Sequence, residues 1–193
     1  MFQTNAHIQR RRGKDGKSRQ EHLQDLANEY KKSNTIEIRL RVLSNLANFA
    51  YDPINYEWLR QAGATELFVD VLLDDTSDIQ LQQIALSGLC NYALDHRTQE
   101  RLAKDDAVVH QCLHYVFESN FDNRMLVTAV CLLWHICMPD NISTITTPDL
   151  KYRLEDICNS QHGNQQLKNM CRIFIDDFFL ETPSQVKEIS SKR

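Results

Sequence analysis

Glycine and proline are scarce in this chain: five and four respectively, or nine of 193 residues, where roughly 12% is usual for the two combined. An all-β sandwich, with a turn every 8–12 residues or so, needs more of this punctuation. A helical chain does not. No apolar run approaches the roughly 18 residues that a membrane-spanning helix requires, and the opening Met1–Ile8 stretch has no apolar core of the kind a secretory signal carries. The expectation is a soluble intracellular protein. The six cysteines (Cys90, Cys112, Cys131, Cys137, Cys158, Cys171) include no CxxC pair and lie mostly in apolar helical stretches such as 130–134. They read as small buried hydrophobes in a reducing compartment rather than as disulfides or zinc ligands.

Catalytic signatures are missing as well. There is no Gly-x-Ser-x-Gly elbow, phosphate loop or Rossmann glycine cluster. The acidic pairs Asp74-Asp75 and Asp176-Asp177 place adjacent carboxylates on different faces of a helix, which does not suit paired acid–base chemistry. His110 and His114 share a helix face at i and i+4, but a closed zinc site needs two more ligands at fixed distance. They read as surface histidines. The chain is expected to be no enzyme, with no catalytic residues, no metal and no cofactor.

What is present is an ordinary globular composition, 42% hydrophobic and 25% charged, with the charge unevenly spread. Arg10, Arg11, Arg12, Lys14, Lys17 and Arg19 stand against Asp15 alone in the first twenty residues, so that segment carries +5 and the remainder −9 within a total of −4. A basic arm over residues 1–18, expected to be disordered, precedes an acidic body. Such an arm acts as a solvated tail, a localisation signal or a phosphate contact. Residues 182–193 are polar and are expected to be disordered too.

The body contains an internal repeat. Leu43-Ser44-Asn45-Leu46-Ala47-Asn48-Phe49-Ala50-Tyr51-Asp52 returns 43 residues later as Leu86-Ser87-Gly88-Leu89-Cys90-Asn91-Tyr92-Ala93-Leu94-Asp95, with six of ten positions identical. A weaker copy, 129–136, follows at an offset of 44, and a fourth, 167–174, keeps the apolar rhythm. A period of this length is that of stacked two- or three-helix units, none of which can bury its apolar stripe alone. Leu40, Leu43, Leu46, Ala47 and Ala50 share one helical face. Leu23, Leu26 and Tyr30 form a single stripe, as on a cap with a wet outer side. Prolines in Asp52-Pro53, Met138-Pro139-Asp140 and Thr147-Pro148-Asp149 end one helix, and the acidic neighbour caps the next. Gly63 reads as the C′ residue of a sharp helix–helix corner. The period falls in the range of armadillo and HEAT units, and the expected architecture is all-α: a short right-handed α-solenoid of about three to four helical repeats over residues 19–181.

The residues Asn48-Phe49-Ala50 and Gln61-Ala62-Gly63-Ala64, at that separation, resemble the armadillo-repeat family, as do Leu46–Gln61, Gly88–Asn91 and 167–178 in greater detail. The resemblance implies a small nuclear, non-enzymatic protein. Its implied partner is an RRM-containing protein, RNA-binding motif protein 48, within the minor (U12-type) spliceosome of pre-mRNA splicing. Small nuclear RNA is reached indirectly, and neither a membrane nor a small-molecule substrate is implied. Cargo-carrying armadillo proteins place a tryptophan four residues before each ladder asparagine. Here those positions are Ser44, Ser87 and Cys131, so the lysine slots are missing; the third ladder position is His135.

Partner-binding positions are therefore Asn48, Asn91, His135, Ser44 and Ser87, with Tyr51 and Tyr92 as aromatic anchors beside the ladder. An asparagine amide can give two hydrogen bonds to an extended peptide; alternatively each amide ties down a neighbouring helix. Trp58 and Trp134 sit on apolar stripes and read as core. The competing function is direct RNA binding through Arg10, Arg11, Arg12, Lys14, Lys17 and Arg19, with the solenoid as platform, against which the acidic body argues.

Overall fold

The computed structural model describes residues 4–12, 16–118, 120–160 and 164–179. Among these the regular structure is helical: α1 (Asn5–Arg12), α2 (Arg19–Lys32), α3 (Ile36–Phe49), a 3-10 turn (Pro53–Asn55), α4 (Tyr56–Gln61), α5 (Ala64–Leu73), α6 (Ile79–Tyr92), α7 (His96–Ala103), α8 (Asp106–Phe117), α9 (Asn123–Ile136), α10 (Ile142–Ile145), α11 (Pro148–Asn159) and α12 (Gln165–Phe178). Helix length cycles through short, intermediate and long. From α4 to α12 the lengths run 6, 10, 14, then 8, 12, 14, then 4, 12, 14 residues. That cycle is the 43–44-residue period of the sequence. The chain falls into two compact units, residues 1–111 and 112–193, described separately below.

In the first unit α2 packs on α3, α3 on α6, and α5 on α6. Helix α2 buries Leu23, Leu26, Ala27 and Tyr30, the single stripe expected of a cap. Its start is fixed by a capping box: the Ser18 hydroxyl accepts from Glu21 N–H, and the Glu21 carboxylate accepts from Ser18 N–H at 2.7 Å. Helix α5 is different. Ala64, Thr65, Leu67, Phe68, Val69, Val71 and Leu72 are buried, so it is enclosed nearly all round, as the middle layer of a repeat must be. Gly63 makes the entry to α5 at φ 71°, the left-handed conformation in which a side chain strains the backbone.

In the second unit α12 packs on both α9 and α11. Leu167, Cys171 and Phe174 on α12 are buried, so the faintest copy of the repeat still supplies a core face. Leu150, Leu154 and Ile157 line the buried side of α11.

Three expectations are corrected. The arm is helical over Asn5–Arg12 rather than disordered throughout 1–18; this stretch holds neither glycine nor proline, and Ile8 is buried. The C-terminal residues 182–193 lie outside the described residues. Asp52 does accept from Ile54 N–H as expected, but α11 is capped by the Thr147 hydroxyl, which accepts from Leu150 N–H at 3.2 Å, while Asp149 lies in the first turn. Trp58 and Trp134 are half-buried. The Trp134 indole N–H donates to Asp177 at 2.7 Å, joining α9 to α12 at the surface instead of filling the core.

Gly88 sets the distance between α5 and α6. A Cβ there would meet Phe68 ring atoms at 2.7 Å, and Phe68 is fully buried. Alanine is favoured over glycine by about 1 kcal/mol in a helix interior, so propensity alone predicts that Gly88→Ala stabilises. We expect the opposite: a net loss of about 1–3 kcal/mol from overpacking, measured by chemical denaturation. Phe68→Leu combined with Gly88→Ala should cost less than the sum of the two single changes.

Candidate functional site

The site is built where α3 and α6 end. Near the end of a helix the last carbonyls lack intrahelical donors. At the end of α3 the Tyr51 N–H turns to Asn48 O at 3.4 Å. Ala47 O accepts from the Asn91 side-chain amide of α6 at 3.1 Å, and Phe49 O accepts from the buried Asn55 amide at 2.9 Å. Asn91 is thus a staple between consecutive repeats, and its bond to Ala47 sets the C-terminal ends of α3 and α6 side by side. Asn48, its repeat equivalent, is exposed. The two ladder asparagines thus stand in different surroundings.

The aromatic expectation divides the same way. Tyr51 is 57% exposed, whereas Tyr92 is 0% exposed. The Tyr92 hydroxyl donates to Tyr56 O at 2.6 Å, its ring lies 5.3 Å from the Tyr56 ring, and burial drives its pKa up to about 12. Tyr92 is therefore a core residue and not a partner anchor. In the repeat alignment it matches Phe49, one residue past the ladder position and hence on a different helix face. The residue that matches Tyr51 is Leu94, which is 56% exposed. Leu94 was missed, although the 43-residue offset already pointed to it.

Ser44 and Ser87 are half-buried. The Ser87 hydroxyl donates to Gln83 O one turn back at 2.9 Å, so it spends its donor within its own helix. In the second unit His135 is half-buried and meets the Trp134 ring edge-on at 5.0 Å. His110 and His114 are each exposed. All six cysteines are free.

The basic residues are also sorted. The Arg19 guanidinium lies 4.7 Å over the Phe49 ring and donates to Asn55 Oδ1 at 3.3 Å, which commits it to the α3 corner. Lys17 pairs with Asp25 at 2.5 Å. Arg10 is exposed on α1, and the side chains of Arg11, Arg12 and Lys14 lie outside the described residues.

Beside the edge, Asp95 anchors the start of α7. Its carboxylate accepts from Thr98 N–H at 3.1 Å, from the Thr98 hydroxyl at 2.9 Å and from Arg60 at 2.7 Å. Burial pushes the Asp95 pKa up, but these hydrogen bonds outweigh it and hold the carboxyl below its ordinary 3.8. Arg60 also pairs with Glu57. The ends of α3 and α6 offer one exposed amide, Asn48, and two exposed large side chains, Tyr51 and Leu94, beside the Arg60 ion pairs. Such a surface can hold an extended segment through its backbone and two apolar contacts.

A depressed folded pKa stabilises the protein above the unfolded pKa, and that contribution fades as pH falls through the folded value. Asp95→Ala should cost about 1–2 kcal/mol near neutrality, with the gap from the parent narrowing below about pH 4 in a denaturation series. Asn91→Ala should cost about 1 kcal/mol, since it leaves Ala47 O without its donor. Asn48→Ala should leave the unfolding midpoint unchanged, and equal losses at the two positions would show that the asparagines are equivalent after all.

No family model matches the chain. Among curated proteins, mouse armadillo repeat-containing protein 7 is 32% identical over 172 residues, covering 89% of this chain and 83% of that protein. Among solved structures, a computationally designed armadillo repeat protein for modular peptide recognition superposes with a TM-score of 0.65 at 16% identity, covering 81% of this chain. A second designed armadillo repeat protein gives the same TM-score at 18% identity and the same 81% coverage. The chain spans 64% of the length of each designed protein. These likenesses show the fold, an armadillo-type α-solenoid.

Proposed function

The chain belongs to the family of armadillo repeat-containing protein 7, and from that premise we propose that it is a non-enzymatic scaffold for an RRM-type RNA-binding protein. The partner in this reading is RNA-binding motif protein 48, and the assembly supports the minor (U12-type) spliceosome in the nucleus. Small nuclear RNA is reached through that partner. Membership in an armadillo family supports a protein partner. The observation that carries the reading is the exposure of Tyr51 and Leu94, just past the ends of α3 and α6, where Asn48 is exposed too.

Two large side chains are left more than half exposed at equivalent points of successive repeats. Tyrosine is enriched among the few residues that supply most of the binding energy at a protein interface, and covering Leu94 adds the burial of an apolar side chain. Asn48 adds orientation by pairing with the partner's backbone. Recognition of basic peptides through lysine slots plays no part, because Ser44 and Ser87 stand where aromatic walls would be needed.

Direct RNA binding through residues 10–19 is the competing reading. It is weakened by the commitment of Arg19 to Phe49 and Asn55 and of Lys17 to Asp25. Titration calorimetry with purified RNA-binding motif protein 48 separates the two. Tyr51→Ala combined with Leu94→Ala should weaken binding about 10-fold to 100-fold without lowering the unfolding midpoint. Unchanged affinity in that folded variant rejects the rim as the contact. Failure of the parent protein to bind, together with salt-sensitive binding of RNA alone, rejects the scaffold reading in favour of the arm.

A further inference from the structure

Two thiols of the second unit lie on the packed helices α11 and α12 and take no part in the proposed partner contact. Cys158 lies in the last turn of α11, and Cys171 lies in the second turn of α12; these two helices pack together. The Cys158 sulfur sits 3.6 Å from Lys168 O, three residues before Cys171 on α12. Cys171 follows one turn further along the same face of α12, and its thiol and that of Cys158 act on each other. Both cysteines are free. Cys171 is fully buried, while Cys158 is half-buried and keeps an opening to solvent. The sequence alone reads both as inert hydrophobes, because their 13-residue separation matches no recognised motif until α12 folds back on α11.

The geometry points to Cys158 and Cys171 as a reversible dithiol–disulfide pair that takes hydrogen peroxide as its oxidant and covalently joins α11 to α12. In the first step the Cys158 thiolate attacks one peroxide oxygen. The S–O bond forms, the O–O bond breaks, and the departing hydroxide takes up a proton to become water. Cys158 is left as a sulfenic acid. Cys171 then attacks the Cys158 sulfur. The S–S bond forms, the S–O bond breaks, and the second oxygen leaves as water with the proton from Cys171. Two thiols lose two electrons, and peroxide is reduced to two waters. A small dithiol reverses the reaction by exchange.

The local charges divide the roles. Burial raises the Cys158 thiol above its ordinary 9.0, while the Arg172 and Lys168 charges and the Cys171 S–H act against that rise. Burial pushes Cys171 up to about 12. Cys158 is thus the first to ionise and the one oxidant can reach, and Cys171 is the resolving thiol. Because both values stand above neutrality, the reaction is slow at pH 7 and accelerates with the thiolate fraction.

The test uses the full folded chain. It is treated with hydrogen peroxide, its remaining thiols are blocked with N-ethylmaleimide, and it is digested with trypsin. Cleavage after Arg153, Lys168 and Arg172 places Cys158 in the peptide 154–168 and Cys171 in 169–172. The expected product joins these two peptides, lowers the intact mass by two hydrogens and is restored by dithiothreitol. Its rate of formation should rise nearly tenfold per pH unit between about pH 7 and 8. With Cys171→Ser, oxidation of Cys158 should stop at a sulfenic acid that dimedone traps. With Cys158→Ser, Cys171 should remain unmodified in the folded protein. The proposal is overturned if the parent protein yields oxidised Cys158 without the joined peptide. It is equally overturned if the joined peptide makes up no greater share of the oxidised Cys158 in the folded chain than in urea.

Discussion

The long helices of this molecule end in carbonyls that their own turns cannot satisfy, and much of the structure is organised around supplying the missing donors. Ala47 O takes the Asn91 amide, and Phe49 O takes the Asn55 amide in addition to the Asp52 N–H. Ile136 O takes the Asn141 amide, and Val116 O takes the Arg153 guanidinium. In each case the donor lies further along the chain, so a helix end is completed by residues that come after it. An unpaired buried carbonyl costs more than the bond itself is worth. The repeat is therefore held by polar closure at its ends as well as by the apolar stripe that needs a neighbour to cover it.

This closure decides what is left for recognition. An asparagine that donates to the preceding repeat has less to offer a partner, and Asn91 is in that position. Asn48 has α2 before it rather than another full repeat, and it remains exposed. A ladder of equivalent amides is thereby reduced to one, and the exposed surface of the rim comes chiefly from Tyr51 and Leu94. Rigidity on either side is supplied by Asp95 with Arg60 and Thr98, and by the close fit of Gly88 on Phe68.

The repeat period, the one-faced cap at Leu23, Leu26 and Tyr30, the left-handed glycine at Gly63 and the Asp52 cap were all readable in the sequence. Each follows from a local rule: spacing, one apolar stripe, or the conformational freedom of a single residue. Other features depended on what lies across from a residue. The buried Tyr92 and exposed Leu94 were separable only by helix phase, and the sequence comparison had favoured chemical likeness over register. The contact of Arg19 with Phe49, thirty residues apart in the chain, and the pairing of Cys158 with Cys171 have no local signature. The capping box at Ser18 and Glu21 did have one, in the Ser-x-x-Glu spacing. Helix α1 went unread because its charge suggested a solvated tail, although the Asn5–Arg12 segment is free of helix breakers.

The central claim is that the rim formed by the ends of α3 and α6 is the contact surface for a protein partner. Amide hydrogen exchange on the chain, free and bound to RNA-binding motif protein 48, tests it most directly. The account predicts added protection over residues 48–52 and 91–95, with the solvent face of α2 unchanged. Protection confined to α1, or to α2 alone, would contradict it.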